Sequence, residues 1–560
     1  MIRNIALLAL LSLIIMLILV CGENKMEKKL NTFLATHVER VEPLMKAMNL
    51  AYWDASLTGK KEDFDNYAEL QLKIRTIYAD TTDFAMLKSL RESEQVKNPL
   101  LKRQLDLLYN AYLSNQIEPD LLKQIVEKSA EVENKFNVFR GKIGKREVTD
   151  NEIKEILKKE TDSTKRRDAW FASKQVGKLV AGDLLELVKL RNQAAQQLGF
   201  ENFYLMSLGI SEQNLDELNQ IFDELAELTD APFRELKAEL DSILADNFGI
   251  GIEGMMPWHY HDPFFQEGPM VYQVNLDKYY QDQDIKKLAE TFYNGIDLKV
   301  SDILERSDLY EKPGKNPHAF CTSIDRKEDV RILANLQNDE YWMETILHEL
   351  GHAVYDKYID KGLPFLLREP AHIFTTEAIA MYFGRLSRNA NWLQEMIGLT
   401  DDERNTIADV VQKSLRLKQL IFARWCQVMF RFEQELYRNP DQDLNSLWWD
   451  ISEQYQFIKR PERRNEPDWA AKIHFTLAPV YYHNYMLGEL LASQLHAFTI
   501  KNVLDLASDD AVSYVGKKEV GNYLKTKIFA AGTKQPWNEM IKATTGEYLS
   551  PKYFVDQFVK

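Results

Sequence analysis

The stretch Ile346-Leu347-His348-Glu349-Leu350-Gly351-His352-Ala353-Val354 constrains this chain more than any other. It lies in a run from Tyr341 to Asp360 that holds no proline. Asn338-Asp339 precedes that run, and Gly362 and Pro364 follow it. Such start and stop signals predict one helix. On a helix, His348 and His352 stand one turn apart on a single face. Two imidazoles so placed can hold one Zn²⁺, and Glu349 beside them can activate water as a general base. A catalytic zinc site uses three protein ligands and leaves one position open, so a third ligand is expected elsewhere in the chain.

Downstream lies Pro370-Ala371-His372-Ile373-Phe374-Thr375-Thr376-Glu377-Ala378-Ile379. It reads as a second helix, capped by Thr375 or Thr376, with Glu377 in its first turn. Glu377 is the expected third ligand. His372, in a loop just after Pro370, is its rival. The plainer account of Glu377 is a helix-start carboxylate favoured by the macrodipole.

The rest of the chain sets the frame. Its 560 residues are ample for a large core, and the formal charge of −15 (70 minus 85) argues against a nucleic-acid partner. Arg3 is the only charge before the apolar run over 6–20, and Cys21-Gly22 follows. Residues 1–20 therefore read as an export signal, of lipoprotein type if Cys21 is modified and otherwise an uncleaved anchor. Val20 stands where a lipoprotein signal carries a small residue. Either way the bulk of the chain is expected outside the cytoplasm, in the periplasm or cell envelope. Residues 21–560 read as a single domain. Cys321 and Cys426 are too few for a disulfide scaffold: they form one pair or remain buried thiols.

Helical periodicity dominates the mature chain. Helices are expected over 26–58, 62–80, 83–95, 99–115 and 118–143. Another starts at Thr161-Asp162-Ser163, and further ones cover 178–198 and 212–246. The character changes at Phe248-Gly249-Ile250-Gly251, which opens the aromatic, turn-rich segment Pro257-Trp258-His259-Tyr260-His261-Asp262-Pro263-Phe264-Phe265-Gln266. His259 and His261 lack a third partner there and are expected to bond or line a site, not to bind metal. Extended stretches are expected near Val271–Asn275 and Val330–Leu336. The second, beside the zinc helix, could pair with an extended peptide. The fold class is mostly α: a large two-lobed helical domain with a central cleft, the loop around 248–275 near the crossing, and a small β element beside the zinc helix.

His348-Glu349-x-x-His352, then Leu367-Arg368-Glu369-Pro370 and Glu377-Ala378-Ile379, resemble the angiotensin-converting-enzyme family of zinc dipeptidyl carboxypeptidases. The thimet-oligopeptidase and oligoendopeptidase group is similar too. By motif the resemblance covers most of 250–500. It implies that His318, followed by Ala319, binds substrate ahead of the zinc helix. It implies that Lys472 takes the substrate's C-terminal carboxylate and that His474 steadies the reacting peptide. It further implies that Tyr485 stabilises the oxyanion and Tyr482 joins the carboxylate pocket, with Tyr481 a competitor for that second role. Two positions depart from the family. Met381 replaces an aspartate that orients a zinc histidine, so another acceptor is required. His483 and Asn484 stand where chloride-sensitive members carry an arginine.

The expected function is hydrolysis of short peptides, with release of C-terminal dipeptides, by Glu349-activated water at the zinc. An oligoendopeptidase is the alternative, and an inactive peptide-binding homologue a further one.

Overall fold

Polar side chains fix where most of the helices begin. Asn24, Asp80, Asn98, Asp162, Asn214 and Asp339 each accept a hydrogen bond from a backbone N–H in the first turn of the helix they precede. Those orphan donors would otherwise be unsatisfied. The computed structural model describes residues 24–269, 271–272, 274–507 and 512–559. The expected export segment over 1–20 and Cys21 lie outside the described residues. Among the described residues no helix is long and apolar enough to cross a membrane. The chain divides into two compact units. The described part of the first runs over 24–116 and includes Leu363–Leu367; the second comprises Ile117–Gly362 and Arg368–Lys560.

The first unit is built on α1 (Lys25–Thr58), α2 (Lys61–Tyr78), α3 (Thr81–Glu92) and α4 (Pro99–Leu113). Its core gathers Leu30 and Leu34 of α1, Leu87 and Leu90 of α3, Leu105, Leu108 and Tyr112 of α4, and Phe365 and Leu366. Buried His37 bonds the Tyr112 hydroxyl through Nδ1 at 3.2 Å. Burial, with help from the Arg40 charge, holds this imidazole down to about 4, so it is neutral.

The second unit starts with α5 (Pro119–Val138), α6 (Asp150–Lys159), α7 (Ser163–Gln197), α8 (Phe203–Ile210) and α9 (Leu215–Phe248). The helix expected over 118–143 ends earlier, at Val138. A hairpin follows, β1 (Gly141–Ile143) against β2 (Arg146–Val148). Gly144 turns it at a φ of 61°, a conformation that favours glycine. The runs expected from Thr161 and over 178–198 are one continuous helix, α7.

After α9 come short turns, α10 (Ile285–Gly295) and α11 (Ser301–Arg306), and then β3 (Phe320–Ser323) and β4 (Val330–Leu333). The strand expected near Val271–Asn275 is absent from the described residues there. The partner of β4 is β3, antiparallel, with Phe320 opposite Leu333 and Ser323 opposite Val330. At Leu333 the other edge of β4 bridges Asp308. Both edges of β4 are thus engaged at that point, which corrects the expectation that Val330–Leu336 itself would pair with a peptide. The site follows on α12 (Glu340–Tyr358) and α13 (Ile373–Gly384). Then come α14 (Ala390–Ile397), α15 (Asp401–Arg438), α16 (Leu444–Gln456) and α17 (His483–Phe498), and shorter helices run on to Phe558. Cys321 and Cys426 are free thiols.

Candidate metal centre and its cavity

The geometry of the centre follows from how closely α13 crosses α12. A Cβ on Gly351 would lie 2.7 Å from the Ala380 Cα and 3.1 Å from the Ile379 oxygen. No other residue fits this crossing without displacing backbone. The contact places Glu377, one turn before Ala380, against the histidines of α12. His348 Nε2 and His352 Nε2 are 3.2 Å apart. Glu377 Oε2 lies 3.6 Å from the first and 3.9 Å from the second. Ligand atoms of the three residues all fall within 4.8 Å of one another. Burial lowers His348 to about 4 and His352 well below the usual imidazole value. Both are neutral at pH 7, the form that binds a metal.

Thr375 and Thr376 do not cap α13. His372 does: its Nδ1 accepts from the Phe374 N–H at 3.3 Å, and its own N–H donates to Thr375 Oγ1. The helix therefore starts at Ile373, and Glu377 opens its second turn, beyond the reach of a first-turn dipole argument. His372 is not among the residues whose ligand atoms cluster, which are His348, His352 and Glu377. Thr376 has a different partner. Its hydroxyl lies 2.7 Å from His352 Nδ1. It thus supplies for His352 the acceptor that Met381 cannot.

Glu349 is 7% exposed and follows His348 on α12. The Cys321 N–H of β3 bonds its carboxylate. Burial, reinforced by the Glu377 charge, pushes Glu349 up to about 8, and burial pushes Glu377 up to about 7. A divalent cation reverses this logic, because its charge favours both carboxylates. On the buried side of α12, the Tyr293 hydroxyl donates to the Leu347 carbonyl at 2.5 Å and pins the helix.

A cavity of about 970 Å³ opens beside the cluster. Its wall includes Gln266, Met381, Lys472, His474, Tyr482, Tyr485 and Glu489. Lys472 is buried, and its ammonium bonds Gln266 Oε1 and sits over the rings of Phe264, Trp425 and Tyr482 at 5.4, 5.1 and 5.3 Å. Burial lowers it to about 8, against the pull of Asp262. The Asp262 carboxylate in turn accepts the N–H groups of Phe264, Gln266 and Glu267, which fixes the aromatic loop. The Tyr482 hydroxyl accepts from Trp425 Nε1 at 2.7 Å, so its own hydrogen remains to be donated. The His474 ring stands edge-on to Tyr482 at 5.0 Å, and its buried Nδ1 has no partner in the protein. Tyr485 stacks edge-on against both Tyr481 and Tyr482 at 5.2 Å.

Tyr485, Tyr482, Lys472 and His474 are therefore brought to one wall. His318 and Ala319 sit elsewhere, immediately before β3, and are not on that wall. His318 is exposed, and its N–H donates to Asn316 Oδ1. Asn335 holds the same loop through the carbonyls of Asn316 and Pro317. His259 bonds Ser163 Oγ and the Met256 N–H, the hydrogen-bonding role expected of it. Sequence reasoning missed Gln266, Thr376 and Glu489. Gln266 ends, and Thr376 lies within, a stretch already singled out. Glu489 gave no signal beyond its spacing of four from Tyr485.

A mostly helical unit with His-Glu-x-x-His on one helix, a third ligand-type carboxylate on a crossing helix, and a deep adjoining cavity defines a class of helical peptidases. The chain matches the peptidase family described as angiotensin-converting enzyme over residues 24–261 and 262–558, and it belongs to that family. It is 23% identical over 492 residues to an angiotensin-converting enzyme of Theromyzon tessulatum, covering 81% of this chain and 79% of that protein. It is 23% identical over 543 residues to thermostable carboxypeptidase 1 of Pyrococcus furiosus, covering 88% and 98%. It is also 21% identical over 368 residues to an inactive angiotensin-converting enzyme-related protein of Caenorhabditis elegans, covering 58% and 40%.

Proposed function

We propose that the protein is a zinc-dependent peptidase that releases C-terminal dipeptides from short peptides. The observation that carries this reading is a buried ammonium, Lys472, on the same cavity wall as Tyr485, beside a cluster whose donors suit zinc. Two neutral imidazoles and a carboxylate are the donor set of many catalytic zinc sites. Zn²⁺ held by His348, His352 and Glu377 would supply Lewis acidity toward a peptide carbonyl and acidify a water molecule.

The remaining work falls to the chain's own side chains. Glu349 takes a proton from the attacking water and returns it to the leaving amine. Tyr485 donates its hydroxyl hydrogen to the carbonyl oxygen as negative charge develops there. His474, held neutral at about 4 by burial, bonds the reacting peptide. Lys472 pairs with the terminal carboxylate as a point charge, Gln266 holds the ammonium in place, and Tyr482 donates its free hydrogen into the same pocket. His318 and Ala319 bind the peptide's extended backbone at the start of β3.

Two observations bear on other readings. A volume near 970 Å³ lies at the upper end of ordinary ligand pockets, which favours an oligoendopeptidase that accepts longer chains. Intact Glu349 and a complete ligand set argue against an inactive homologue. Peptides with free and amidated C-termini, analysed by mass spectrometry, separate the cases. Dipeptide release that requires the free carboxylate supports the first reading, whereas internal cuts indifferent to amidation support the second. Glu349→Gln should stop hydrolysis while zinc remains bound; undiminished hydrolysis would reject the general-base role. The apolar run over 6–20 further supports export to the cell envelope. Lipid labelling that disappears in Cys21→Ser would distinguish a lipoprotein from an uncleaved anchor.

A further inference from the structure

Tyr482, Tyr485 and Glu489 stand at positions i, i+3 and i+7 of the α17 region, on one face, and all three line the cavity. The carboxylate of Glu489 is 13% exposed. Both of its hydrogen bonds fall on Oε2, one from Arg385 Nη2 and one from Gln419 Nε2 at 3.1 Å. Oε1 takes neither. Arg385 is not on the cavity wall. It is held from behind by Ser493 Oγ and Gln557 Oε1, both at 3.4 Å, and by the Phe558 ring at 5.0 Å. It therefore fixes the Glu489 rotamer without closing its cavity side.

The other acids on the wall differ. Glu340 has both oxygens engaged, by Ser387 and by Arg388. Asp277, which accepts the Glu340 N–H, is exposed to solvent. Glu267 is exposed to solvent. Among the described wall residues, Glu489 is thus the largely buried carboxylate with an oxygen left for a ligand. A half-engaged carboxylate withdrawn from water gains most from a cation brought to it.

We propose that Glu489 is a specificity-determining residue that selects peptides carrying a lysine or arginine side chain next to the cleaved bond. This rests on the peptidase reading above. The test uses the zinc-loaded full chain and a peptide series in which each of the two residues on either side of the cut is lysine or norleucine. At one position the wild-type kcat/KM should favour lysine by about tenfold. In Glu489→Gln the ratio should fall to roughly one, because the charge is gone while the shape is kept. Glu489→Asp keeps a partner for Arg385 and serves if the first variant fails to fold; its withdrawn carboxylate should weaken the ratio without abolishing it. A flat wild-type ratio at every position, or a preference that survives in Glu489→Gln, would overturn the proposal. If no peptide is cleaved at all, the peptidase reading fails instead. The binding ratio of the lysine and norleucine peptides, measured by calorimetry, then still decides the role of Glu489.

Discussion

The Thr376 hydroxyl lies 2.7 Å from Nδ1 of His352, one residue before Glu377. One turn of α13 thus presents both a third ligand-type carboxylate and the group that orients a histidine of α12. With Nδ1–H donated to the hydroxyl, the Nε2 lone pair faces His348 and Glu377. A hydroxyl has no charge of its own and can donate or accept, so a cation on Nε2 would fix the tautomer, and the hydroxyl adds less basicity than a carboxylate would. Thr376→Val removes the acceptor at nearly constant volume. It should weaken zinc binding by about 10- to 100-fold, the usual range for losing such a partner, read by competition with a chelating dye. Unchanged affinity would mean that the bond does not orient His352.

Gly351→Ala tests the helix crossing. The added methyl would meet the Ala380 Cα at 2.7 Å and backbone atoms of 379–380 at 3.1 Å. Backbone cannot swing aside as a flexible side chain does, so α13 must move away from α12. Overpacking of this kind costs about 1–3 kcal/mol. The variant should melt earlier in calorimetry, and its zinc affinity should also fall, because Glu377 rides on the displaced helix. Loss of stability with full zinc affinity would show that the crossing and the ligand set are independent.

The parts of this site that could be read in the sequence are those encoded by spacing within one element. His348, Glu349 and His352 share a helix whose ends carry explicit signals, so both their placement and the helix bounds follow from the sequence. Glu377 was legible as chemistry but not as geometry, since the cap chosen for its helix was wrong: a histidine cap has no strong sequence signature, whereas the adjacent threonines do. Residues that meet only through tertiary packing were legible where the family resemblance pointed to them, as for Lys472 and Tyr485, and otherwise not. Gln266 reaches Lys472 across 206 positions, and β3 pairs with β4 although Phe320-Cys321-Thr322-Ser323 is too short to show alternation. The early end of α5 was hidden because Phe136, Phe139 and Ile143 keep a helical spacing of three and four residues.

The pH dependence of Lys472 follows from its burial. With its ammonium lowered to about 8, the free enzyme loses the charge proposed to bind a terminal carboxylate as pH rises through that value. The kcat/KM of a free-carboxylate peptide should therefore fall above about pH 8, while that of its amidated counterpart should not fall in step. Stability moves the other way. The unfolded lysine titrates near 10.5, so between about 8 and 10.5 the unfolded chain binds more protons than the folded one. The Lys472 contribution to stability then rises with pH across that window. Parallel profiles for the two peptides would remove Lys472 from the carboxylate pocket.

Val480 carries a φ of 55°, which is strained for a β-branched residue. It sits just before Tyr481, Tyr482 and Tyr485. Its N–H donates to Oε1 of Glu433 at 2.8 Å. On the other side of the same segment, Arg191 donates to the carbonyls of Phe475 and Thr476 at 2.9 and 2.7 Å. The stretch that carries His474 and leads into the tyrosines is thus clamped at both ends by buried side chains of α7 and α15. Glu433 is only 3% exposed, and burial raises it to about 8 against the pull of the Val480 N–H and the Arg191 charge. Glu433→Gln keeps an acceptor oxygen and should preserve kcat and stability. Glu433→Leu leaves the Val480 N–H without a partner, at a cost of about 1–3 kcal/mol, and lets the backbone relax out of its left-handed conformation. The tyrosines then shift, and kcat should fall more than tenfold, a loss that a misplacement of about 1 Å can produce, while KM changes little. Equal defects in the Gln and Leu variants would point instead to the Glu433 charge, and a Leu variant with normal kcat would dissolve the link between Val480 and the catalytic wall.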